Sequence, residues 1–232
     1  MKSYLALTWK ELKTQKITAT LILIAVIMST IITTVVGQSI GILQSMRIEQ
    51  AASLNGNRYV TFHQLSREQA QKLHEDDRVY DAGDTVFVGS TTLGNSSLNL
   101  YLREYHDNAL AMYPAISKIK EGHLPEKASE IALSEDSLRY LGLDAAVGDT
   151  VSLDMRVSVM DGSLPEFEYC GKFILTGILE SSYIGYSTGT VEGIVGNGTA
   201  EKLLPEEYLL YSTDFKTHDQ KNFQSIVYDL SK

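Results

Sequence analysis

Residues 17–36 read ITATLILIAVIMSTIITTVV, with no charge, proline or glycine. At about 1.5 Å per residue, a helix of this length reaches roughly 30 Å, the thickness of a bilayer's hydrocarbon core. Its isoleucines, leucines and valines each favour insertion by roughly 0.3–0.6 kcal/mol, which outweighs the threonines and Ser29. The mean hydropathy of the whole chain is −0.08, so the run is a local departure rather than the tone of the sequence. The stretch predicts a transmembrane helix. A cleavable signal peptide, cut after Gly37 or Ser39, is the rival reading; such peptides have a shorter apolar region of about 7–15 residues.

The flanks set a direction. Lys2, Lys10, Lys13 and Lys16 face Glu11 alone before the run, and the rest of the 232 residues carries the acidic excess behind a net charge of −9. Basic residues beside a span hold their end in the cytoplasm, which predicts a cytoplasmic N-terminus and an extracellular C-terminal part in the cell membrane. Leu5, Trp9 and Leu12 share one helical face, so residues 1–16 read as an amphipathic helix at the lipid headgroups. Residues 37–56 continue the helix as a stalk, stopped at Asn55-Gly56-Asn57 by a left-handed cap. Residues 57–232 form the extracytoplasmic domain.

Acidic balance and a pI near 5.0 exclude a nucleic-acid partner, which would require basic stripes. The one cysteine, Cys170, cannot make an intrachain disulfide. Its setting, Tyr-Cys-Gly-Lys-Phe-Ile-Leu, predicts a buried, inert thiol.

Within the domain, residues 58–62 read as a strand and 65–73 as a short helix opened by Ser66 and Glu68. Residues 79–88 and 98–103 read as paired strands across a Gly/Asn/Ser-rich loop, 89–97. Residues 131–133 form a strand, and Ser134 caps a helix with Glu135 and Asp136 in its first turn and Gly142 past its end. Val151, Leu153, Met155, Val157 and Val159 alternate with polar residues. The Asp161-Gly162 turn then leads to Phe167, Tyr169, Phe173 and Leu175, making a long hairpin with one buried face. Residues 208–212 read as a strand and 218–230 as a helix. Strand–helix units at both ends bracket a mostly β middle, so the fold class is α+β, with one subdomain inserted in another.

Chemistry is sparse. No G-x-x-x-x-G-K-[ST] loop is present to cradle a nucleotide. His63, His74, His106, His123 and His218 are scattered without metal-ligand spacing, so they read as surface histidines. Gly185, Gly189 and Gly193 recur every four residues and read as a flexible loop. Gly185-Tyr186-Ser187-Thr188-Gly189 matches the nucleophile elbow G-x-S-x-G after a plausible strand, 173–179. That elbow needs a helix directly behind the serine and an acid and histidine downstream. The following residues are glycine-rich, and His218 is the only later histidine. No catalytic, cofactor-binding or metal-binding residue is assigned.

Glu121-Gly-His-Leu-Pro-Glu126, Glu130-Ile-Ala-Leu-Ser134, Leu141-Gly-Leu143, Val147-Gly-Asp-Thr-Val151 and Phe173-Ile-Leu-Thr-Gly-Ile-Leu179 occur in that order. Together with the lysine-rich start, span and stalk, they resemble MacB/FtsX-type ABC transporter permeases over nearly the whole chain. The resemblance implies a porter-like βαβ part bracketing a mostly β part. It also implies a cytoplasmic ABC ATPase partner, a homo- or heterodimer with a second permease, and contact with membrane lipid. Motion driven by ATP would pass through the stalk to export peptide, antibiotic or lipoprotein, or to signal across the envelope. Such permeases have four spans, so the chain is expected to be a truncated form or a fragment of a longer permease. The alternatives are a single-pass anchored binding or sensor domain without an ATPase, and an anchored hydrolase using Ser187.

Overall fold

A computed structural model of the chain describes residues 16–56, 58, 60–94, 97–159, 162–181, 189–219 and 221–232. The amphipathic segment expected over 1–16 lies, but for Lys16, outside the described residues, as do Ser187 and most of its elbow. The chain divides into two compact units, Met1–Ala51 and Ala52–Lys232.

The first unit is dominated by one unbroken helix, α1 (Lys16–Asn55), which runs through Gly37 and Gly41 without interruption. Its stretch Lys16–Leu43 is long and apolar enough to cross a membrane, and its most apolar window is not buried against protein among the described residues. Leu21, Ile24, Ile27 and Val35 are about half-exposed, side chains that water would not tolerate in such a density. The hydroxyls of Thr20, Thr30, Thr33, Thr34 and Ser39 each donate to the carbonyl four residues back at 2.8 Å. That bond satisfies a hydroxyl where no water is available, which makes these residues tolerable in a span. Gly56, at φ +74°, follows the last helical residue as the expected left-handed cap.

The second unit opens with β1 (Val60–Leu65) and α2 (Arg67–His74). Ser66 begins α2 because its hydroxyl accepts from the Gln69 N–H while Gln69 Oε1 accepts from the Ser66 N–H. This reciprocal box is worth about 1 kcal/mol, and it turns Ala70 and Leu73 inward. Next come β2 (Val79–Thr92), β3 (Asn99–Tyr105), a 3-10 turn (Leu110–Met112), β4 (Ile119–Gly122) and β5 (Glu130–Ser134). Ser134 then caps α3 (Glu135–Tyr140), with Gly142 at φ +69° beyond it, as the sequence predicts. β6 (Thr150–Val157) and β7 (Phe167–Leu179) follow, then β8 (Thr190–Val195) and α4 (Thr199–Leu203). A second 3-10 turn (Glu206–Tyr208), β9 (Tyr211–Thr217) and α5 (Phe223–Leu230) complete the unit.

All nine strands belong to one connected sheet. Strand–helix ends and β-rich middle therefore share a single hydrogen-bonded surface. Following the pairings from β2 through β3, β8, β5, β7 and β6 returns to β2, so these strands close a barrel. The seam is narrow: β6 meets β2 through Ser90 and Arg156. One edge of β2 is taken by β9 from Val79 to Val86 and by β6 at Ser90. The handover coincides with a bulge between Phe87 and Gly89, whose φ of +156° is open to glycine. β9 in turn pairs with β1, extending the sheet outward from the barrel.

Alternation fills the barrel. β6 buries every second residue, and Val151, Leu153 and Met155 meet Phe173, Leu175, Leu100, Leu102, Ile131 and Leu133 inside. Burying each such side chain contributes roughly 1.5–3 kcal/mol. Two expectations are corrected here. Gly193 does not lie in a flexible loop but in β8, between β3 and β5. A Cβ there would stand 2.7 Å from Leu102 Cδ2 and 2.8 Å from Leu133 Cδ2, so glycine lets those leucines into the core. Cys170 is exposed rather than buried, because β7 turns it to the outer face opposite Asp154. The last strand also begins at Tyr211, three residues later than the sequence predicts, behind the Glu206–Tyr208 turn.

Candidate functional site

Buried polar side chains concentrate where β2, β9 and the end of β3 meet. Asp84, Thr85, Glu104, Thr213, Asp214 and Thr217 are all shielded from water there. Such groups are costly without partners, so their pairing describes the site; of these six, the Thr85 hydroxyl has no hydrogen-bond partner among the described residues.

Asp214 is the most heavily partnered. Its Oδ1 lies 2.9 Å from Arg58 Nε and accepts from Thr61 Oγ1 at 2.5 Å, while its Oδ2 accepts from the Tyr113 hydroxyl at 2.6 Å. Arg58 also donates to the Tyr113 oxygen at 2.6 Å. Burial and the neighbouring Asp214 carboxylate push the Tyr113 phenol well above its ordinary range, so it remains a donor.

Glu104 sits at 1 % exposure and accepts from the N–H groups of Gly198 and Ala200, each at 2.7 Å, at the start of α4. Its Oε1 is 2.9 Å from His106 Nε2. Burial pushes this carboxyl up, but His106 and the two N–H groups together hold it below its ordinary value. The same hydrogen bond raises the His106 imidazole.

Asp84 lies between these groups. Its Oδ1 accepts from Thr213 Oγ1 at 2.6 Å, and its Oδ2 is 3.1 Å from His74 Nε2. Its carbonyl accepts the His106 N–H, which sets the turn that presents Asp107. One donor atom each from His74, Asp84 and Asp107 lies within 4.8 Å of the others. Sequence reasoning placed His74 among isolated surface histidines; α2, β2 and the exit of β3 bring it to two carboxylates. No spacing motif announces such a group, since its members are contributed by three separate elements. The other histidines serve elsewhere: His63 bonds Ser212, His123 contacts the Leu124 carbonyl, and His218 stacks on Tyr80.

Nucleophilic chemistry finds no support among the described residues. Cys170 faces Asp154, whose hydrogen bond raises the thiol, so the thiolate is scarce. Ser134 and Ser137 bond each other within the α3 cap. Open clefts lie on the surface of the described residues. One, of about 530 Å³, overlies the β2–β6 seam between Thr92, Arg156 and Glu168. Another, of about 830 Å³, lies beside α3 between Lys120, Arg139 and Asp144. Neither is lined by a histidine or a cysteine.

No protein-family model matches the chain, and no curated protein matches it in sequence.

Proposed function

We propose that the chain is a permease subunit, or the N-terminal part of one, of an ABC transporter of the MacB/FtsX type. In this reading it catalyses nothing. A cytoplasmic ABC ATPase supplies the motion, a second permease completes a homo- or heterodimer, and the chain carries that motion to an extracytoplasmic domain. The observation behind the reading is the unbroken helix α1, Lys16–Asn55, which is apolar over Lys16–Leu43 and continues past that stretch without a break. A rigid helix transmits a displacement that a flexible linker would absorb.

A second observation supports the resemblance itself. Its motif segments, distant in sequence, gather around β7. Gly122 pairs with Gly177, the His123 N–H donates to the Thr176 carbonyl, and β5 runs alongside. The Gly148 N–H donates to the Leu175 carbonyl at 2.7 Å, and the Leu175 N–H returns a bond to Asp149 at 2.9 Å. Short turn motifs that meet on one strand act as a unit of packing.

The test is purification of the full chain from its native membrane, followed by ATPase assays of the reconstituted complex. An ABC ATPase should co-purify in stoichiometric amount. Ser45→Pro, which removes a helical hydrogen bond and costs about 3 kcal/mol locally, should uncouple ATP hydrolysis from export or signalling while insertion persists. Ser45→Ala should be silent. Absence of any ATPase overturns the reading and returns the chain to an anchored binding or sensor domain. Orientation has its own probe in the native thiol: exposed Cys170 should react with a membrane-impermeant maleimide in intact cells, and Cys170→Ser should remove the label. Labelling only after lysis would reverse the proposed topology.

A further inference from the structure

We propose that His74, Asp84 and Asp107 form a binding site for one divalent transition-metal ion of the zinc class. The inference stands independently of the transporter reading, because it uses only the second unit's own geometry.

The donor atoms are already gathered within 4.8 Å of one another. His74 Nε2 and Asp84 Oδ2 are 3.1 Å apart. Two ligands at about 2.0–2.1 Å from a shared ion stand about 2.8–3.0 Å from each other in octahedral geometry and about 3.3–3.4 Å in tetrahedral geometry, so this edge, between the two, needs little rearrangement. Yet the pair is not aligned as a hydrogen bond: His74 Nε2 is shut off from solvent and has no hydrogen-bond partner among the described residues. A buried ring nitrogen without a hydrogen bond, facing a carboxylate oxygen, is an unmet requirement that an ion between them would satisfy.

The surroundings hold the ligands in place. Thr213 donates to Asp84 Oδ1 at 2.6 Å, which fixes the carboxylate and leaves Oδ2 turned toward His74. Outer hydrogen bonds of this kind orient metal ligands. His74 ends α2, whose other end is locked by the Ser66–Gln69 box and whose Leu73 is buried. Asp107 is exposed, on the turn after β3, so the side of the group that it forms is open to an entering ion.

Charge points the same way. Two carboxylates face one imidazole, and among the described residues no lysine or arginine is ion-paired with either. The nearby Lys216 is committed to Asp81 at 2.5 Å. One nitrogen and two carboxylates suit zinc, cobalt or nickel. Calcium would require six to eight oxygens, and magnesium would retain mostly water. A bound ion would tie α2 and the β3 exit to β2.

The full chain in detergent, stripped with EDTA, is titrated with cobalt(II) and read by visible d–d absorption, then by displacement with zinc. One equivalent should bind saturably, with zinc displacing it. Asp107→Asn, a change at an exposed position, should weaken binding by roughly tenfold or more, as should His74→Gln. His63→Gln, away from the site, should bind as the parent does, and circular dichroism checks that each variant is folded. No saturable binding of cobalt or zinc up to about 1 mM would overturn the site. So would folded Asp107→Asn and His74→Gln chains that bind with unchanged affinity, since the ion would then be held elsewhere.

Discussion

Phe173, Leu102 and Leu133 fill the barrel with hydrocarbon and are wholly buried, whereas equally buried positions on β9 hold Thr213, Asp214 and Thr217 beside Phe215. β2 belongs to both regions, so the same strand passes from a polar interior to an apolar one at its bulge. Apolar burial is non-directional and tolerant of small shifts. Polar burial succeeds only when each oxygen and nitrogen finds its partner, and it then fixes one arrangement. The barrel is accordingly where stability resides, and the outer sheet is where recognition can be built.

The strongest way to test this contrast is Phe173→Ala. Removing a large ring from a closed core should cost roughly 3–5 kcal/mol in urea unfolding. A loss below about 1 kcal/mol would show that the barrel does not govern folding. In the outer sheet, Asp214→Ala removes the carboxylate that Arg58 and Tyr113 share and should cost about 3 kcal/mol. Asp214→Asn keeps the shape and a hydrogen-bonding oxygen and should cost less; equal losses would mean that charge alone matters there. The smallest expected effect is at the surface approach to β2. Arg78 beside Asp76 holds that carboxyl down, to about 2 from 3.8. A carboxyl lowered on folding stabilises fully above its unfolded value and loses that contribution as pH falls through the folded one. Asp76→Asn should therefore flatten stability between about pH 4 and pH 2, with an effect trimmed by solvent because the pair is exposed. An unchanged acid-unfolding curve would remove the pair from the account.

What the sequence disclosed depended on the range of the interaction. Caps at Ser66 and Ser134, the stop at Gly56 and the alternation from Val151 to Leu175 are local, and each appears where it was expected. β8 was hidden because Gly193 reads as a breaker, although Val191, Ile194 and Val195 around it carry a β-branched signal. Cys170 was misplaced by its apolar neighbours: on a strand, the period of two sends adjacent residues to opposite faces. Barrel closure and the grouping of His74, Asp84 and Asp107 depend on pairings between remote strands, which no window of sequence contains.

Those remote pairings also set a timetable. Val60 finds its partner at Phe215, and Asn99 lies beside Thr190. Contacts so far apart along the chain are slow to form, because the intervening loop must be closed before any contact rewards it. During synthesis β1 and the free edge of β3 must wait until β9 and β8 emerge. Until then they remain unpaired edges, open to the wrong neighbour. The nascent chain therefore passes through its most aggregation-prone interval just before its last strands arrive.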